Sequence, residues 1–151
     1  IYGAGASGSV ASDFQQKLHR IGRTAFYFPD VHAALTSAAL LGKGDVALGI
    51  SHTGTTVDVI EVLEQARKRG ATTVALTNYP RSPITEVADF VLTTAARETT
   101  YRSGAMASRL AQLTVIDCLF VGVAAKQRTR TRKALEVTAD AVQSRRNRRR
   151  A

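Results

Sequence analysis

Two short stretches hold the residues best suited to chemistry. "GAGASG", residues 3–8, contains a G-x-G-x-x-G in Gly3, Gly5 and Gly8, and "SHTGTT", residues 51–56, sets four hydroxyls around one glycine. Turns of this kind leading into a helix suit anions. Backbone N–H groups at the helix N-terminus point outward, the helix dipole favours negative charge, and glycine lets a ligand approach the backbone. Ser7, Ser51, Thr53, Thr55 and Thr56 supply hydroxyl donors. The first turn has two readings. The glycine pattern is the dinucleotide fingerprint when it joins a strand to a helix, and Asp30, about 20 residues on, stands where an acid would hold a ribose hydroxyl. Pro29-Asp30 equally fits a plain helix N-cap, and a dinucleotide fold gives no reason for four hydroxyls in the second turn.

The elements that must position these turns alternate between short apolar runs and helical-period segments, which predicts a parallel sheet with helices on both faces. Residues 1–3 end the first strand. Ser7 caps a helix through Val10, Phe14, Leu18 and Ile21, and "TAFYF", 24–28, is the second strand. Asp30 caps a helix through Leu35, Ala38 and Leu41, followed by "DVALGI", 45–50, as the third strand. Thr55 and Asp58 have capping-box spacing before Val59, Ile60, Leu63 and Ala66. "TTVALT", 72–77, is the fourth strand, Ser82-Pro83 starts a short helix, and "FVLTT", 90–94, is the fifth strand. A long helix then carries Met106, Leu110, Leu113, Ile116, Phe120 and Val123 toward the sheet or a second subunit. In the doubly wound order 2-1-3-4-5, strands one and three flank the point where winding reverses, so both turns face one crevice.

Composition narrows the class. A chain of 151 residues with 44% hydrophobic content suits one domain. The one cysteine, Cys118, excludes an intrachain disulfide framework and a multi-cysteine metal site, and it reads as a small core residue; a reducing cytoplasm fits. The longest apolar run, 113–125, contains Asp117 and falls short of the ~20 residues of a membrane span, so no membrane partner is expected. Net charge is +9, and ten Lys/Arg against Glu136 and Asp140 after residue 125 account for +8 of it. The chain is thus expected to divide into a ligand-binding domain, 1–125, and a basic C-terminal helix or tail, 126–151. Ile1 falls inside a strand with no initiator methionine before it, which suggests a piece of a longer protein.

"GAGASGSVASDFQQKLHRIG", "DVALGISHTGTTVDVIEVLEQARKRGATTVALTN", "SPITEVADFVLTT" and "RSGAMASRLAQLTVIDCLF" together resemble the SIS (sugar isomerase) domain, in the variant found in MurR/RpiR-type bacterial transcriptional regulators. The resemblance covers residues 1–125. Its S-x-S-G-x-T-type loop is similar to "SHTGTT", with Thr53 replacing the second serine and keeping the hydroxyl. It implies a three-layer α/β/α fold with a five-stranded parallel sheet, in flavodoxin-like order, and a homodimer or homotetramer binding a phosphosugar. By position, Ser51, Thr53 and Thr56 would hold the phosphate, with Ser7 and the backbone at Gly5 across the sugar and His52 inside the loop. Glu98, Arg102 and Ser103 match an acid and an "RS" pair that would reach sugar hydroxyls. No cofactor, metal or catalytic residue is expected from this variant.

SIS domains serve both as aldose–ketose phosphate isomerases and as sensors. An isomerase needs a base beside C1 and C2, for which Glu98, His19, His32 and His52 are the candidates. The "RSGAMASRLAQL" segment resembles the regulators more closely. The expected function is therefore an effector-binding domain that controls DNA binding by an N-terminal helix-turn-helix outside this chain. An isomerase remains the alternative, and an NAD-binding Rossmann domain a further one.

Overall fold

A computed structural model of the chain describes residues 1–98 and 105–147. In chain order the elements are β1 (Tyr2–Gly3), α1 (Ala6–Arg20), α2 (Val31–Ala39), β2 (Val46–Ile50), α3 (Val57–Lys68), β3 (Thr72–Thr77), α4 (Pro83–Glu86), β4 (Phe90–Thr93), α5 (Met106–Lys126) and α6 (Arg128–Asn147). The strands form a parallel sheet in the order β1-β2-β3-β4. Tyr2 lies opposite Gly49, Leu48 opposite Val74, and Leu76 opposite Leu92.

The run "VALGI" is buried from Ala47 to Ile50 because helices cover both faces of β2 there, with Val46 left exposed at its start. Leu48, Ile50 and Leu76 pack with Val10, Ala11 and Phe14 of α1 and Ile116 of α5. Ala47 and Ala75, of the opposite parity, join Ala34 and Ala38 of α2 and Val59, Leu63 and Ala66 of α3. That second face is built from small residues so that α3 can approach. A Cβ on Gly49 would stand 2.8 Å from Leu63 Cδ1 and 2.9 Å from Val59 Cγ1. The close seat completes the burial of Leu63 and Val59, worth about 1.5–3 kcal/mol each. Asp89 ties β4 to β3: its Oδ2 accepts from Thr73 N–H at 2.8 Å and Thr73 Oγ1–H at 3.0 Å, and these donors hold the carboxyl below its usual range.

Several expectations are corrected. Residues 24–28 join no ladder, so the sheet has four strands among the described residues rather than five. Phe26 and Phe28 share a face, with ring centroids 6.4 Å apart, and the Ile1 nitrogen donates to Phe26 O at 2.8 Å. Beside this segment β1 supplies two ladder residues, both bonded toward β2, and one hydrogen bond does not make a strand pair. A cleft of about 500 Å³, lined by Leu18, Phe26, Phe28, Leu41 and Val46 among others, opens between the segment and β2.

The helix caps differ too. Gly5, not Ser7, is the N-cap of α1, and Ser7 lies within the first turn. Thr55 and Asp58 form no capping box, because α3 starts at Val57 with Thr56 as an N-cap that makes no side-chain cap bond. Asp30 behaves as expected, its Oδ1 accepting from Ala33 N–H at 3.0 Å. Ser82 is the N-cap residue of α4 with Pro83 next, but its hydroxyl donates backward to Tyr79 O at 2.7 Å.

The apolar positions of α5 are not all inward. Its buried residues are Ser108, Gln112 and Ile116, whereas Met106, Leu110 and Val121 are 56%, 61% and 63% exposed. Cys118 is exposed rather than core. By length and composition α5 is also apolar enough to cross a membrane, contrary to the expectation for this region. It is instead docked on the fold. Ile116 is fully buried against α1 and the sheet, and Asp117 pairs with Lys17, which also reaches Asp13 at 2.7 Å.

Candidate functional site

The carboxyl ends of β1 and β2 are neighbours, and the turn after each runs into a helix pointing its N-terminus at the same space. The β1–α1 turn pivots on Gly5, with φ at +56°. Gly3 and Gly8 instead bring α1 close to β1, since a Cβ on Gly8 would lie 2.8 Å from Gly3 O.

The β2–α3 turn is fastened on three sides. Its Gly54 amide donates to Ser51 Oγ at 3.1 Å, Gly54 O accepts from Ile84 N–H at 3.0 Å, and His52 O accepts from Asn78 N–H at 3.0 Å. Ser51, 2% exposed, hydrogen-bonds through Oγ to Thr56 Oγ1 at 2.9 Å. Thr53 Oγ1 accepts from the Thr55 hydroxyl at 2.9 Å, and the His52 ring meets Tyr79 edge-on with centroids 5.9 Å apart. Among the described residues the Thr53 and Thr56 amides have no acceptor in the chain.

A third helix closes the space. Ser108 and Gln112, one turn apart on α5 and each 2% exposed, face it beside Ala105. Gln112 is locked to α1 through Ser7, with Ser7 Oγ 3.2 Å from Gln112 Nε2 and 3.3 Å from Oε1. The resulting cavity, about 270 Å³, is lined by Ala4, Ala6, Ser7, Ile50, Ser51, His52, Thr53, Thr56, Ala105, Ser108 and Gln112. No Asp, Glu, Lys or Arg is among them. The groups that this described lining offers to an anion are hydroxyls, backbone amides and the N-terminal dipoles of α1 and α3.

The fold thus brings Ser7, Ser51, His52, Thr53 and Thr56 to one cavity. Gly5 shapes the turn without lining it, and Glu98 stands outside, beside His52, Asn78 and Tyr79 of an adjoining cleft. Glu98 Oε1 accepts from Ser108 N–H at 2.8 Å, so it caps the first turn of α5. Arg102 and Ser103 lie outside the described residues. His19 meets Gln15 on the exposed side of α1, and neither it nor His32 lines the cavity. Ser108 and Gln112 were missed. Their signal was four-residue spacing with Ile116, polar residues on the inward stripe of an otherwise apolar helix.

A dinucleotide fits poorly. The cavity is smaller than the about 300–1,000 Å³ of ordinary ligand clefts, and the Asp30 carboxylate is used as the cap of α2.

The SIS domain family model matches residues 1–122. An uncharacterized HTH-type transcriptional regulator of Caldanaerobacter subterraneus subsp. tengcongensis is 46% identical over 145 residues, covering 96% of this chain and 51% of that protein. The HTH-type transcriptional regulator RpiR of Escherichia coli K12 is 40% identical over 124 residues, 82% of this chain and 42% of RpiR. The structure of Vibrio vulnificus NanR complexed with ManNAc-6P superposes with a TM-score of 0.84 at 31% identity, covering 93% of this chain and 54% of NanR. The chain spans about half the length of the curated relatives it matches.

Proposed function

Since the chain belongs to the SIS domain family and is homologous to HTH-type transcriptional regulators, we propose that it is the phosphosugar-sensing domain of such a regulator. One observation carries the reading. Two hydroxyl-bearing turns and three helix N-termini converge on one small cavity with no charged side chain among its described lining residues. Ser51, Thr53 and Thr56, with the Thr53 and Thr56 amides, would take the phosphate. Ser7, Ser108 and Gln112 would face the sugar, with the backbone at Gly5 shaping that wall and Glu98 at the rim. The ManNAc-6P bound to NanR, a 31% identical relative, supports a sugar phosphate as the ligand class.

The described lining supports sensing over catalysis. Aldose–ketose isomerisation moves a proton between C1 and C2 and needs a base within hydrogen-bond reach. His52 is the single titratable side chain among the described lining residues, and its ring packs on Tyr79. Glu98 is turned to the α5 amide. Effector binding would act in the cytoplasm by shifting the arrangement of subunits and so the spacing of N-terminal DNA-binding heads.

The subunit contact in this account is the outer face of α5, where Met106, Leu110 and Val121 are exposed. In a homodimer or homotetramer built there, Leu110→Arg would bury a charge without a partner. Light scattering on that variant should report the monomer mass; an unchanged assembly would place the contact elsewhere.

A thermal-shift screen against hexose and hexosamine phosphates, with NAD included, tests the function. A phosphosugar at about 100 times its Kd adds about 2.7 kcal/mol, which raises Tm by about 5–10 °C in a domain of this size. The bound sugar should be recovered unconverted. A shift with NAD alone would sink the reading.

A further inference from the structure

The helix that carries the cations from Arg128 to Lys133 is mounted on the fold. Thr131, Ala134, Leu135, Thr138 and Ala139 form the inward stripe of α6, and Arg130 Nη2 donates to Gly22 O at 3.2 Å, while Thr138 Oγ1 donates within the helix to Ala134 O at 2.9 Å and lies 3.4 Å from Arg20 O. Thr131 Oγ1 donates to Ala124 O at 3.2 Å, fastening the other end of the helix to α5. At this corner Arg20, Lys126, Arg128, Arg130, Arg132 and Lys133 are all exposed. Glu136 offsets part of that charge by pairing with Arg132 at 3.6 Å, both side chains being mostly solvated. Five further arginines, at 145, 146, 148, 149 and 150, follow in the sequence.

We propose that this corner grips the phosphate backbone of duplex nucleic acid without reading its sequence. From residue 126 onward arginines outnumber lysines eight to two, which favours forked contacts to phosphate oxygens. No aromatic residue lies in that stretch to stack on bases, so the contact is confined to the backbone. A membrane surface is a poorer match. Leu135 and Ala139 are turned inward on the protein, which leaves Val137 and Val142 as the exposed large apolar residues of α6 among those described, fewer than the continuous apolar face an interfacial helix inserts. The inference stands apart from the phosphosugar reading, since it uses no residue of the cavity.

The test is fluorescence anisotropy of the 151-residue chain with two unrelated duplexes of about 20 base pairs, titrated from about 50 to 200 mM salt. Both duplexes should bind equally, with log K falling linearly in log salt. Arg128→Gln, Arg132→Gln and Lys133→Gln together should flatten the slope by about 3, at about 0.9 per lost phosphate contact. Arg145→Gln with Arg146→Gln should flatten it by about 2 in an otherwise unchanged fold, checked by an unaltered Tm. No binding at the lowest salt, a slope unmoved by the Arg128, Arg132 and Lys133 substitutions, strong preference for one duplex, or capture by anionic phospholipid vesicles without duplex binding would each overturn the proposal.

Discussion

Replacing Ser51 and Thr56 together by alanine is expected to lower phosphosugar affinity by about 10²–10⁴-fold. Each hydroxyl would bond a charged phosphate oxygen, and such a bond is worth about 1.5–3 kcal/mol when its loss leaves the oxygen desolvated and unpaired. The two are not equivalent. Ser51 Oγ also accepts from the Gly54 amide at 3.1 Å, so Ser51→Ala disturbs the turn as well as the ligand. Thr56 bonds Ser51 alone among side chains of the described residues, so Thr56→Val removes the donor and keeps the shape. Calorimetric titration should show Thr56→Val weakened by about 10–100-fold with Tm little changed, and the double variant without measurable binding. Full affinity in the double variant would put the phosphate elsewhere.

Gly54→Ala should be the most damaging single change to the turn. The residue sits at φ +68°, where a side chain costs about 1–2 kcal/mol. Its Cβ would also stand 2.5 Å from Ser82 Cβ and 2.9 Å from Thr77 Oγ1, and would collide with Ser82 Oγ. Overpacking of that kind adds about 1–3 kcal/mol. Urea denaturation should show a loss of about 2–5 kcal/mol, with phosphosugar binding lost in parallel because the turn must move off β3 and α4. Ser82→Gly in the same chain removes the worst collision and should recover part of the stability. No recovery would mean that the cost is backbone strain alone.

Most of the sheet was legible because burial on two faces leaves a plain trace. "VALGI" and the "VAL" within "TTVALT" are apolar at successive positions with small residues on one parity, and the strands formed where that pattern occurs. Residues 24–28 carry a strand's composition yet form none, because strand formation depends on a partner edge and β1 presents just two paired residues. The two turns ahead of α1 and α3 were legible as well, since Gly, Ser and Thr are the usual residues where a strand runs into a helix N-terminus. Orientation was less so. Ser7 has the residue type of a cap, but Gly5 at positive φ takes that position and frees the Ser7 hydroxyl for Gln112. The inward stripe of α5 was misjudged for a related reason. Met106 and Leu110 are more apolar than Ser108 and Gln112, and periodicity alone directs the apolar residues inward. Here the polar pair faces in to line the cavity, and the apolar pair faces out.

The most direct test of the central claim is calorimetric titration of the chain with a hexosamine 6-phosphate, with the matching unphosphorylated sugar and NAD as controls. The account predicts saturable binding of one phosphosugar per chain, lost with Ser51→Ala and Thr56→Val, and no heat from either control. Binding of NAD, or phosphosugar binding that survives both substitutions, would contradict it.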